Sequence, residues 1–179
     1  MLEITIKIDE LWDEVKQEFI PPRETTIRLE HSLVSLSKWE SKWCKPFMTK
    51  TMKTREEEID YIKCMTLTQN VDPDIYNYIS MENMQMINKY IEAPMTATTF
   101  SNDKKKGKNE IVTAELIYYW MIALNIPVEF QKWHLNKLLT LIRVCNIKNQ
   151  PPEKRSNQAI RNDYAALNAA RRKALKTKG

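Results

Sequence analysis

Glycine is almost missing from this chain: two occur in 179 residues, Gly107 and Gly179. A backbone that approaches phosphate closely needs glycines at fixed intervals, as does the sharp turn that presents a nucleophilic serine. With one internal glycine, no phosphate-cradling loop, dinucleotide fingerprint or nucleophile elbow can be written, which excludes most nucleotide-dependent enzymes. Histidine is as scarce, with His31 and His134 alone. A histidine-based metal centre needs further ligands at suitable spacing, and Glu129 lies five residues before His134, off its helix face. His134 is therefore expected on a helix surface or as a hydrogen-bonded core residue, with no metal and no cofactor. The three cysteines, Cys44, Cys64 and Cys145, form no CxxC pair and are odd in number. They read as buried, reduced thiols rather than a disulfide framework or zinc site.

Long hydrophobic runs are missing too. The most apolar strip is "LIYYWMIALNIPVEFQKWHLNKLL" at 116–139, and residues 111–124 give about 14 mostly apolar positions, short of the roughly 20 that a membrane span needs. The strip is expected to form the core of the body, the alternative being an exposed anchor for a hydrophobic partner through Tyr118, Tyr119, Trp120 and Trp133. The first thirty residues carry no continuous apolar block, so no signal peptide is expected and the expected location is the cytoplasm.

Charge is unevenly placed. The net charge is +5, yet residues 151–179 hold eight Lys/Arg against Glu153 and Asp163, leaving the rest with 20 basic and 21 acidic residues. Any nucleic-acid contact is therefore to be sought in the C-terminal segment. Arg161, Arg171, Arg172 and Lys173 suit phosphates, but Tyr164 is the single aromatic there and Leu167 continues an apolar seam. Protein contact or a solvated arm is the preferred reading; nucleic acid comes second and a membrane surface third.

What is present predicts a mainly α protein: a multi-helix body over 1–150 with a small N-terminal β-hairpin or meander in residues 1–31, then a basic linker and helical arm over 151–179. "LEITIKI" and "TTIRLEHS" alternate with period two, while "ELWDEVKQEFI" fits a short helix or a strand and stops at Pro21-Pro22. From Leu33 the apolar spacing becomes helical. Ser32, Thr54 and Ser80 are placed as N-caps, and Asp72-Pro73 begins a further short helix. Ile59, Tyr61 and Ile62 are expected inward, as are Met84, Ile87 and Ile91; Met81, Met84 and Met86 are read as core. The segment 94–110 reads as an exposed loop in which "MTATTF" could pair as a strand. A break near Asn125–Pro127 should separate two helices of a hairpin, the second carrying a polar stripe of Glu129, Lys132, Asn136, Thr140 and Arg143. The seam of the last helix, through Ile160, Tyr164, Leu167 and Leu175, is too narrow to fold alone.

No arrangement for catalysis is supported, and the protein is not expected to be an enzyme. Glu56, Glu57 and Glu58 are adjacent on a helix and diverge by roughly 100° each, so they cannot converge as an acid/base pair; a solvated first turn accounts for them. His31 beside Ser32 is adjacency in sequence, without the strained turn that makes a nucleophile.

The stretches "LEHSLVSLSKWESKWCKPF", "TQNVDP", "IEAPMTATTF", "LIYYWMIALNIPVEFQKWHLNKLLTLIRVCNIKN" and "ALNAARRKALKTKG" together resemble the tail assembly chaperones of long-tailed bacteriophages. The likeness spans nearly the whole chain in order and rests on no short motif. It implies a non-enzymatic protein of the host cytoplasm that binds the tape measure protein and keeps it soluble until tail tube protein polymerises around it. It also implies absence from the finished particle and, in many members, a second, frameshifted length; a homo-oligomer is compatible with it. It assigns no catalytic residue. The rival expectations are a structural neck or tail-completion component of the virion and a nucleic-acid-binding regulator.

Overall fold

The computed structural model describes residues 1–13, 17–100, 111–150 and 157–175. The protein is mostly helical with a small antiparallel hairpin at its N-terminus, and it divides into two compact units, Met1–Ile147 and Lys148–Gly179.

In the first unit, β1 (Leu2–Ile8) pairs antiparallel with β4 (Arg23–Leu29), Leu2 opposite Leu29 and Ile8 opposite Arg23. Alternation buries Ile4, Ile6, Ile8, Ile27 and Leu29 on one face, while the other face carries a Thr5–Thr26 hydroxyl bond of 2.9 Å. The ambiguous "ELWDEVKQEFI" holds two short strands, β2 (Leu11–Asp13) and β3 (Glu18–Ile20), with Trp12 opposite Phe19. A two-stranded ribbon leaves two open edges, and both are partly used. Leu67 donates its N–H to the Arg28 carbonyl at 2.8 Å, and the Asn83 amide donates to the Thr5 carbonyl at 2.9 Å.

Helix α1 (Leu33–Trp43) starts at a capping box in which Ser32 and Ser35 serve each other's backbone, and α2 (Arg55–Met65) starts at the same device built from Thr54 and Glu57. A 3-10 helix (Pro73–Tyr78) follows the Asp72 cap, and α3 (Met81–Glu92) follows the Ser80 cap. Then come α4 (Ala114–Ala123), capped by Thr113, a second 3-10 helix (Val128–Lys132) and α5 (Leu135–Asn149). The second unit contains α6 (Asn157–Leu175).

Two apolar clusters fill the body. The first joins β1 and β4 to Trp39, Tyr61, Ile62, Met65, Ile75, Tyr76, Ile87 and Tyr90. The second joins Leu33 and Leu36 of α1 to Ala114, Ile117 and Met121 of α4 and Leu135, Leu138 and Ile142 of α5. Helix α1 thus serves both, through Trp39 in the first and Leu33 and Leu36 in the second.

Several sequence expectations need correction. The "EEE" run is not wholly solvated: Glu57 is buried, because the capping box turns it back onto the Thr54 N–H and Lys45 pairs with it at 2.7 Å. Met81 and Met86 are exposed, lying on the outer face of α3, while Met84 packs against the first cluster. Cys44 is exposed and Cys64 and Cys145 are half-buried, all three as free thiols. "MTATTF" pairs with no strand over its described residues. The scarcity of glycine also shows in the backbone. Gln17, Cys44, Asn70, Met95 and Asn125 all take positive φ between 49° and 56°, a conformation that costs a residue with a Cβ roughly 1 kcal/mol or more.

Candidate partner-binding surface

The rotation of α4 about its axis decides which side chains meet solvent, and a buried carboxylate sets it. Glu40 of α1 accepts the Ala114 N–H through Oε2 and the Phe47 N–H through Oε1, each at 2.7 Å. With Thr113 accepting from Leu116, the first turn of α4 is satisfied and locked onto α1. Ala114, Ile117 and Met121 then face inward, one helical stripe apart. The opposite stripe, Glu115, Tyr119, Ile122 and Ala123, is left in solvent. Tyr119 is 63% and Ile122 77% exposed, and Ile111 and Val128, flanking the helix, are exposed as well.

The expectation that the aromatic strip fills the core therefore holds only in part. The buried part of the strip is aliphatic: Ile117, Met121, Leu135 and Leu138. Tyr119 is exposed; Tyr118, Trp120 and Trp133 are half-buried around the second cluster. Tyr118 donates its hydroxyl to Gln131 Oε1 at 2.9 Å, and burial raises its pKa. Trp133 stacks on Phe130 with ring centres 4.0 Å apart, and Lys137 Nζ stands 4.2 Å over its ring. These contacts hold the Tyr118 and Trp133 rings in place, and Tyr119 with Ile122 forms the exposed edge. Ile111, Ile122 and Val128 are the residues the sequence reading passed over. Their signal was present in a helix apolar on every side, which a body of this size cannot cover completely.

The single helix expected over 127–149 is broken at Trp133–His134 because that segment pairs with the connection between β4 and α1. Ser32 and His134 form a β-bridge, and the Leu135 N–H donates to the His31 carbonyl at 2.7 Å. His134 thus precedes α5 instead of lying in mid-helix. Its Nε2 is 3.0 Å from the Tyr90 carbonyl and must donate, while Nδ1 accepts the Asn136 N–H at 3.3 Å. Both nitrogens are satisfied only in the neutral ring. His31 packs edge-on against it at 5.1 Å and holds the Tyr61 hydroxyl 2.6 Å from Nδ1. Burial first, and His134 second, push the His31 pKa down to about 3; burial lowers that of His134 as well. Both rings are buried and pack edge-on against Tyr61 and Tyr90 of the first cluster. Among the described residues no group of three His, Cys, Asp or Glu is placed to hold a metal.

A cavity of about 240 Å³ between α2 and α3 is lined by Phe47, Tyr61, Ile62, Met84, Ile87 and Ile91, with Lys53, Glu58 and Asn88 as its polar members. On α6, Arg161, Tyr164, Leu167, Arg171, Arg172 and Lys173 are all exposed; Ile160 is outside the residues whose side chains are described. Among the described residues no helix is long and apolar enough to cross a membrane. Compared with protein-family models, curated proteins and solved structures, the chain matches none.

Proposed function

We propose that this protein is a non-enzymatic binder of apolar or amphipathic helices, acting as a phage tail assembly chaperone that holds the tape measure protein soluble in the host cytoplasm. The observation that carries the reading is the solvent-facing stripe of α4. An exposed Tyr119–Ile122 edge, on a helix whose Tyr118 and Trp120 pack half-buried against the second cluster, has the aromatic and aliphatic anchors that helix recognition uses. The extended resemblance of the sequence to tail assembly chaperones supplies the client.

Co-expression with the tape measure protein tests it. The soluble yield of the client should rise, and the two should co-purify; Tyr119→Ser with Ile122→Ser should abolish both effects while the protein stays folded. Unchanged client solubility would remove the reading. Stoichiometric copies in purified virions, counted by mass spectrometry, would favour a structural neck or tail component instead.

A further inference from the structure

Helical spacing builds two walls of the cavity between α2 and α3. Glu58, Tyr61 and Ile62 stand at i, i+3 and i+4 on α2, and Met84, Ile87, Asn88 and Ile91 at i, i+3, i+4 and i+7 on α3, so each set shares one face of its helix. The connection between α1 and α2 adds Phe47 and Lys53 as a third wall. The interior is apolar. Phe47 and Tyr61 stack with ring centres 3.9 Å apart, and the Tyr61 hydroxyl is already engaged by His31. An apolar cavity of roughly 150 Å³ is enough to take up benzene, so one of about 240 Å³ has room for a side chain the size of leucine, methionine or phenylalanine.

Each wall also contributes one polar group, and the three differ: a cation from the connection, Lys53, an anion from α2, Glu58, and an amide from α3, Asn88. Glu58 and Asn88 are exposed and Lys53 is half-buried, so they mark the mouth. Lys53 Nζ stands 4.2 Å over the Phe47 ring, a contact that leaves its N–H groups for an acceptor. Among the described residues neither Lys53 nor Glu58 enters an ion pair, and the neighbouring Glu57 is taken by Lys45 at 2.7 Å. Two opposite charges that share a mouth without neutralising each other suit a ligand that carries both charges itself.

We infer that the cavity binds a free apolar α-amino acid. Its side chain fills the space between Phe47, Tyr61, Ile62 and Ile87, its carboxylate takes Lys53, and its ammonium takes Glu58, with the Asn88 amide able to serve either. The site shares no residue with the α4 stripe, so its failure and that of the chaperone reading are distinguishable.

Isothermal titration calorimetry of the purified full chain with leucine, methionine and phenylalanine tests the site. Saturable binding of at least one is expected. Its N-acetyl derivative, which lacks the ammonium, and its amide, which lacks the carboxylate, should each bind roughly tenfold more weakly. Lys53→Gln should weaken the amino acid by the same factor and leave the amide unchanged, whereas Glu58→Gln should weaken the amino acid and leave the N-acetyl derivative unchanged. Both positions are at the mouth, and circular dichroism should show both variants folded. Met84→Trp, which fills the cavity, should abolish binding. Absence of saturable binding by all three amino acids overturns the proposal, as does either derivative binding as tightly as its parent. Affinity unchanged by Lys53→Gln or by Glu58→Gln, or undiminished in a folded Met84→Trp variant, overturns it too.

Discussion

The two clusters of the body treat aromatic residues in opposite ways. In the first, Trp39, Tyr61, Tyr76 and Tyr90 are inside, and every polar tip is engaged. Trp39 Nε1 donates to the Glu57 carbonyl, Tyr61 meets His31, Tyr76 donates to Thr66 and Tyr90 to Glu30. In the second, the interior is aliphatic, Tyr118 and Trp120 pack half-buried against its outside, and Tyr119 is exposed. A buried tyrosine or tryptophan needs a partner for its polar atom, and the strands, loops and helix ends around the first cluster provide such partners. The second cluster is made of three helices whose facing backbone is already hydrogen-bonded, so aromatics there migrate outward. Aromatic rings are packed inside in one region and stand at the surface in the other.

The sharpest way to break this contrast is Trp39→Ala, which removes a fully buried ring together with its bond to Glu57. A loss of roughly 3–5 kcal/mol is expected, read as a lowered urea midpoint; a loss under about 1 kcal/mol would show that the first cluster does not depend on its aromatics. Acid should act next. The unfolded chain protonates its histidines below about pH 6.5, whereas folded His31 resists until about pH 3. The stabilisation is complete above pH 6.5 and is lost as pH falls toward 3, at up to roughly 1.4 kcal/mol per pH unit for each depressed histidine. Unfolding free energies between pH 6.5 and 4.5 measure this slope, and His31→Gln should flatten it; an unchanged slope would mean that His31 is not held neutral in the folded protein. The smallest effect belongs to the outside aromatics. Tyr119→Ser with Ile122→Ser should change stability by less than about 1 kcal/mol, and a larger drop in melting temperature would place the stripe in the core.

Most of the helical frame was readable from local signals. Ser32, Thr54, Ser80 and Asp72 cap where their spacing to the following apolar residues predicts, since capping is decided within a few residues. The alternation of Ile4, Ile6 and Ile8 likewise marked β1. What stayed hidden depends on contacts distant in sequence. The break at His134 comes from a backbone pairing with Ser32, and the exposure of Tyr119 comes from Glu40 clamping Ala114 across 74 positions. The burial of Glu57 was half visible, because the capping box is local but its Lys45 partner is not.

The double service of α1 also bears on how the chain is made. Every residue of the first cluster precedes Val112, the last being Ile91, whereas the second cluster needs Ile142 to seal Leu33 and Leu36. At the roughly 5–20 residues per second of protein synthesis, the intervening stretch of about fifty residues takes several seconds to emerge. Through that interval Trp39 can already be covered while Leu33 and Leu36 are still bare, so the nascent chain passes through a half-closed stage.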